Sequence, residues 1–443
     1  MNMGRFVPLA ILLAFVILAI AQPMAAPMPT GAETSPLNGA DMAWMLTASG
    51  LVLIMTPGLA FFYGGMVGRK NIISTMLQSF VCLGVVSLLW VFVGFSLAFG
   101  DSIAGMIGDP RTYFMFNNVG TWVEPSLATG IPLLLFAMFQ LKFAVITPAL
   151  ITGSFAERVR FSSYLVFLCF FTLLVYCPLA HWTWHPNGFL RQMGVLDFAG
   201  GTVVHISAGL AALAGAVFLG PRIIHAEIKN QTKEHTPANI PYVVLGTGML
   251  WFGWFGFNAG SAFGANISAV TAFATTNTAS AAAMLAWIFL DRARGKKIST
   301  LGACIGSVVG LVAVTPAAGF ITIAQSAALG AIASMVSNLA VHWKSKSLID
   351  DTLDVFPCHG LGGIVGMLAT GILAKDVGLI FGKTETFLSH LAALGIVGTY
   401  VFALSLALFW ITNKLLPMRV NREQEEIGLD LDQHDESAIL HAA

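Results

Sequence analysis

Apolar stretches of about twenty residues, the length that crosses a bilayer as a helix, recur along nearly the whole chain. They begin near residues 42, 72, 127, 161, 200, 240, 267, 300, 320, 355 and 388, with short polar loops between them. The pattern predicts an all-α, polytopic membrane protein with eleven transmembrane helices, spans one to eleven. Ahead of them, Arg5 precedes the apolar run "FVPLAILLAFVILAIA", which ends in Ala19-Ile20-Ala21. This is the layout of a secretory signal peptide with an A-x-A site. Residues 1–21 are therefore expected to be cleaved before Gln22, an uncleaved first helix being the alternative; either way the segment from about 27 to 40 lies outside.

Composition strengthens the membrane reading. Of 443 residues 56% are hydrophobic and only 10% charged, against about 25% charged in a soluble domain, and mean hydropathy is +0.80. Net charge is zero with no basic patch, so no nucleic-acid partner is expected. Cys82, Cys169, Cys177, Cys304 and Cys358 fall within or beside apolar segments, none in a C-x-x-C pair. They read as small core residues, and no metal or cofactor is expected.

Lys and Arg set the orientation. One set of alternate loops, with the C-terminal segment, carries sixteen: Arg69, Lys70, Arg158, Arg160, Arg222, Lys229, Lys233, Arg292, Arg294, Lys296, Lys297, Lys344, Lys346, Lys414, Arg419 and Arg422. The opposite loops carry only Arg111, Arg191, Lys375 and Lys383. The N-terminus is expected outside and the C-terminus in the cytoplasm.

Two segments echo each other. "DFAGGTVVHISAGL" (197–210) and "DVFPCHGLGGIVG" (354–366) both place Asp ahead of His, in spans five and ten. Five spans apart, these helices run in opposite directions. "GLAFFYGG" (58–65) and "GWFGFNAGS" (253–261) echo each other weakly in spans one and six. The chain thus divides into repeat one (42–220, spans one to five), an inverted repeat two (240–376, spans six to ten), span eleven (388–415) and a cytoplasmic tail (416–443). In such folds the substrate path runs near the midplane between the halves.

An ionisable side chain in a membrane helix tends to face a cavity and mark a pathway. Burial favours neutral imidazole, so His205 and His359 each present one donor and one acceptor nitrogen. Paired at the midplane, they can share a hydrogen bond and turn their other nitrogens to a small polar substrate; a purely structural pair is the alternative. In "PLAHWTWHPNG" (178–188), Trp182 and Trp184 suit either an interfacial belt or a ring face for a cation. Trp254, Phe257 and Ser261 are spaced i, i+3, i+7 on one helical side, ordinary packing except that a hydroxyl ends the stripe. Phe139 and Phe143 are one turn apart with Gln140 between them, and Lys142 is an ammonium inside a membrane helix, needing a partner or a wet cavity.

At these residues the chain resembles the ammonium transporter (Amt/Mep/Rh) family, on the bacterial Amt side, across essentially all of the mature chain. The motifs that carry the resemblance are "GLAFFYGGMVGRKN", "ITGSFAERVRF", "DFAGGTVVHISAG", "WFGWFGFNAGS" and "DVFPCHGLGGIVG". It implies a homotrimer of eleven-helix protomers in the inner membrane, each with its own pore for ammonium or ammonia. Trp184 and Ser261 match the outer recruitment site, with Asp197 the family's aspartate beside it. Phe143 and Phe257 match the stacked phenyl gate. His205 and His359 match the twin histidines of the pore, Trp254 its wall, and Asp354 a structural position.

Two departures stand out. Many relatives have an uncharged residue at Lys142. The tail "REQEEIGLDLDQHDESAIL" keeps Gly-Leu-Asp but has "HDES" where His-Gly-Glu is usual, which bears on binding of a PII-type regulatory protein. The resemblance leaves three behaviours open: ammonium transport with net charge, an Rh-like neutral gas channel, and a sensor signalling through its tail. An intramembrane enzyme is disfavoured, because the chain has no His-Glu-x-x-His, no nucleotide loop and no Ser–His dyad at suggestive spacing.

Overall fold

The computed structural model describes residues 7–20, 37–225 and 236–438. Val7–Ile20 is a helix; the cleavage site expected before Gln22 extends beyond the described residues. The bundle itself comprises α1 (Gly39–Met66), α2 (Arg69–Phe99), α3 (Leu133–Phe155), α4 (Phe161–Gln192), α5 (Gly201–Leu219), α6 (Ile240–Gly260), α7 (Ile267–Ala293), α8 (Thr300–Val314), α9 (Ile323–Lys344), α10 (Phe356–Leu373) and α11 (Glu385–Leu415). All but α8 are long and apolar enough to cross a membrane; α8 is an apolar helix of 15 residues. The protein is an all-α, multi-pass membrane protein, with a two-stranded hairpin (β1, Ser102–Ile103; β2, Ile107–Gly108) between α2 and α3.

Local chemistry sets the helix starts. The Asn38 side chain accepts the N–H groups of Ala40 and Asp41, Asn239 that of Tyr242 and Ser299 that of Gly302, while Thr322 and Gln325 close a capping box; such residues satisfy donors a helix start leaves orphaned. The third span was expected from about 127 but starts at Leu133, because extended Pro132 precedes it and Leu133 N–H turns back to the Trp122 carbonyl (2.8 Å). The stretch containing Trp182 and Trp184 was expected in a loop; it is the last turns of α4's main segment, capped at His185. Apolarity blurs into the loops, so hydropathy alone misplaces both boundaries.

Glycine lets the helices that matter meet backbone to backbone. A methyl group on Gly246 of α6 would sit 2.6 Å from the Gly58 carbonyl of α1, and one on Gly209 of α5 would sit 2.2 Å from the Gly360 nitrogen of α10. These are the helix pairs whose sequences echo each other.

One face gathers the Lys- and Arg-rich loops. Fully buried Arg158 donates to Thr352 Oγ1 (2.7 Å) and the Asp350 carbonyl (2.6 Å), and Arg222 pairs with Glu157 (2.7 Å) and Asp350 (2.8 Å). Burial opposes ionisation of Asp350, but the Arg222 guanidinium outweighs it and holds the carboxyl below its usual range. Two short tail helices, α12 (Arg422–Ile427) and α13 (Leu429–His434), close over this network. Glu425 accepts Ile223 N–H (2.6 Å), and Asp430 caps the start of α2 by accepting Ser74 N–H (2.8 Å) and Ile73 N–H (3.1 Å).

Candidate functional site

A cavity of about 330 Å³ opens on the face opposite the tail, lined by Gln140, Phe143, Trp184, Asp197 and Ser261 among others. The helices determine what each group offers. Trp184 Nε1–H is already given to the Asp197 carbonyl (3.2 Å), so its donor is occupied and its ring remains to line the cavity. Ser261 Oγ–H is given to the Phe257 carbonyl one turn back (2.9 Å), leaving the oxygen's lone pairs as acceptors. Ring and oxygen together favour a small cation with N–H bonds.

Asp197 also lines the cavity, but its carboxylate is turned to the start of α5. It accepts N–H from Gly200 (2.8 Å), Gly201 (2.6 Å) and Thr202 (2.7 Å), and the Thr202 hydroxyl (2.5 Å). It is first of all a helix cap.

Inward of the cavity runs an unbroken line of rings. Trp184 meets Phe143 edge-on at 5.8 Å, and Phe143 lies against Phe257 with centroids 4.2 Å apart, 33° from parallel. Phe257 is 6.0 Å from His205, which stacks on Trp254 and on His359, both at 5.4 Å. The two Nδ1 atoms are 3.3 Å apart, so one imidazole donates and the other accepts. His205 Nε2 is buried and has no hydrogen-bond partner among the described residues. Beyond His359 a cavity of about 10 Å³, lined by Phe62, Tyr63, Met66, Val308 and Leu353 as well as His359, has room for roughly one water-sized molecule.

Both histidines sit in a single π-helical turn, Gly201–Ile206 in α5 and Phe356–Gly360 in α10. Each wide turn opens on an aspartate cap, and here the sequence echo misleads. The cap of the second turn is not Asp354 but Asp351, whose Oδ2 accepts Phe356 N–H (2.7 Å). Asp351 precedes His359 by the same eight residues that separate Asp197 from His205. Asp354, with φ of 59°, pairs instead with Lys344 (2.6 Å). Burial raises the Asp351 carboxyl to about 6 against the pull of Lys344.

Other expected residues lie off the line. Trp182 is packed between Phe189 (4.9 Å) and Tyr400 (4.5 Å) and donates to the Met106 carbonyl (2.6 Å), so only Trp184 serves the cavity. Lys142 belongs to the partly exposed stripe of α3 with Leu134, Leu135 and Met138; it has no ion pair among the described residues. Thr315 had no signal in sequence: its Oγ1 accepts Trp254 Nε1–H (2.9 Å) and its own hydroxyl goes to the Leu311 carbonyl (2.8 Å), which fixes the indole beside His205. Ser102 Oγ does meet His181 Nε2 (2.8 Å), a pairing across 79 residues. It also accepts Gly105 N–H (3.2 Å), and the pair anchors the hairpin.

Comparison with known proteins points to one family. The Ammonium Transporter Family matches residues 43–439. The chain is 44% identical to the ammonium transporter of Aquifex aeolicus over 416 residues, 92% of this chain and 95% of that protein. It is 39% identical to the ammonium transporter Amt1 of Archaeoglobus fulgidus over 409 residues, 91% of this chain and all of that one. Among solved structures, Saccharomyces cerevisiae Mep2 superposes with a TM-score of 0.82 at 35% identity, covering 88% of this chain and 89% of that one. A sensor Amt protein superposes with a TM-score of 0.83 at 30% identity, covering 89% and 98%.

Proposed function

The chain belongs to the ammonium transporter family, multi-pass membrane transporters and not enzymes, and from that premise we propose that it binds ammonium in the outer cavity, strips its proton and passes ammonia along the histidine line. The observation that carries this reading is the His205–His359 pair, 3.3 Å apart behind the Phe143–Phe257 rings, with one imidazole nitrogen unpartnered.

Electrostatics forces the proton loss. Moving a bare cation into low dielectric costs tens of kcal/mol by Born estimates, and a group that can neutralise does so instead. Full burial lowers an amine's pKa by about 3–5 units. Ammonium held at the Trp184 ring, a contact worth about 0.5–2 kcal/mol, and at Ser261 Oγ therefore gives up its proton on passing Phe143 and Phe257. Neutral ammonia then finds hydrogen-bonding footholds on His205 and His359 without meeting a fixed charge. Potassium has no proton to lose and stops at the rings. The proton follows by a separate route, so transport carries net charge. The Lys- and Arg-rich loops lie on the cytoplasmic side, with the cavity and N-terminus outside. As the family resemblance implies, the protein works as a homotrimer, and the A-x-A layout of residues 1–21 has it do so after removal of a signal peptide.

The test is the current evoked by an ammonium pulse on proteoliposomes containing the purified protein. A current that scales with protein density, is not evoked by potassium and is lost in His205→Ala supports the reading. A His205→Ala protein with unchanged flux and unchanged potassium rejection overturns the pore role of the pair. Internal alkalinisation without current points to a neutral channel. A sensor is favoured by one observation, the tail locked onto α2 through Asp430, and its mark is ammonium binding with neither current nor alkalinisation.

A further inference from the structure

The outer cavity has a second oxygen that the reading above does not use. Gln140 lies one turn before Phe143 on α3 and lines the same cavity as Phe143, Trp184 and Ser261. The residue is only 3% exposed, yet its Oε1 has no hydrogen-bond partner among the described residues. A buried amide oxygen left unpaired is unfavourable, and native interiors leave few such atoms unpaired. The torsion at the end of a Gln side chain is soft and roughly two-fold, so the amide can turn its oxygen to whatever fills the cavity.

We propose that Gln140 Oε1 is a direct ligand of the recruited cation and sets the preference for ammonium over its methylated analogue. The proposal rests on the cavity being the ammonium site. Ammonium has four N–H bonds, and the acceptors of the wall include the oxygen of Ser261, the rings of Trp184 and Phe143 and, once its amide turns, the oxygen of Gln140. Methylammonium has three N–H bonds and lays its methyl group on a ring. A neutral amide adds direction without adding charge, so it orients the ion without trapping it ahead of the phenyl rings. A site built to hydrogen-bond its substrate discriminates by what is left unpaired when a partner is removed.

Gln140→Leu preserves bulk and removes the oxygen. A hydrogen bond to a charged group is worth enough that the half-saturating ammonium concentration should rise roughly ten- to hundredfold. Methylammonium can set its methyl group against the new leucine, so its value should rise severalfold less and the preference between the two should shrink. Currents at saturation and rejection of potassium should persist, because the rings and histidines are untouched. A half-saturating ammonium concentration within twofold of wild type, or an equal rise for both substrates, overturns the proposal. If Gln140→Leu does not fold, Gln140→Met decides in the same assay: it too keeps bulk and removes the oxygen, so the half-saturating ammonium concentration must rise, and a value within twofold of wild type overturns the proposal. If the wild-type protein carries no ammonium current, the transport reading fails by itself. Calorimetric titration of the purified protein with ammonium chloride then decides on Gln140: tenfold weaker binding in Gln140→Leu upholds it and equal binding overturns it.

Discussion

Replacing Asp197 by Asn separates a cap from a cation ligand. The carboxylate takes four hydrogen bonds, from Gly200, Gly201 and Thr202 N–H and from the Thr202 hydroxyl. An amide of the same shape has one oxygen fewer. Its best orientation leaves the oxygen to the two glycines and turns the NH2 group to Thr202, whose hydroxyl can rotate to accept. Thr202 N–H is then orphaned, at a cost of about 1–3 kcal/mol, and the charge at the helix start is lost, at a further ~0.3–1 kcal/mol. The expected total, on the order of 1–4 kcal/mol, falls on the turn that carries His205 and on the carbonyl that holds Trp184. Thermal midpoints of the detergent-purified proteins, compared at one heating rate because such unfolding is kinetically controlled, should therefore drop by several degrees in Asp197→Asn and further in Asp197→Ala. The half-saturating ammonium concentration of the folded Asn variant should change less than threefold. An unchanged midpoint with a tenfold-higher half-saturating concentration would show the carboxylate to be touching the cation, and the cap account would be wrong.

Thr315→Val should leave Trp254 Nε1–H buried without an acceptor, at about 1–3 kcal/mol, and slow ammonium-evoked current severalfold at unchanged half-saturation, with Thr315→Ser restoring it; equal currents in wild type and Thr315→Val refute the positioning role. Asp351 predicts a pH effect on stability. Burial lifts its carboxyl from 3.8 to about 6, with Asp354 adding to the rise and Lys344 opposing it, so the folded protein holds a proton that the unfolded chain releases. The resulting stabilisation is complete below pH 3.8 and is lost as pH rises through about 6, on the order of 3 kcal/mol. In Asp351→Asn, whose amide oxygen can still cap Phe356, thermal midpoints between pH 4 and 7 should decline less with rising pH than in wild type; parallel profiles refute it.

What the sequence made legible follows from what each signal measures. Apolar length found the spans, because a helix in lipid must satisfy its own backbone. Ionisable residues in apolar surroundings singled out His205 and His359, since burying them needs a reason. The stripe from Trp254 to Ser261 was visible because helical period is local. Pairings between distant segments were not. Thr315 is an ordinary threonine until Trp254, 61 residues away, is placed against it. Trp182 and Trp184 look alike two residues apart, yet one is locked into the Phe189–Tyr400 cluster and the other lines the cavity. The aspartate echo pointed to Asp354, because adjacency in sequence is easier to see than an eight-residue offset across a π turn. Gln140 carried no sign of its unpaired oxygen, which is a property of packing.

The line of rings is also a statement about how the protein must be made. His205 and His359 are 154 residues apart, and the wide turns that hold them are irregular backbone, tolerated at membrane depth only where protein covers it. While the chain emerges, α5 exists long before α10, and the glycine face at Gly209 has nothing to cross. No nascent intermediate therefore holds the complete line of rings; the second histidine joins the first only when the tenth span docks against the fifth.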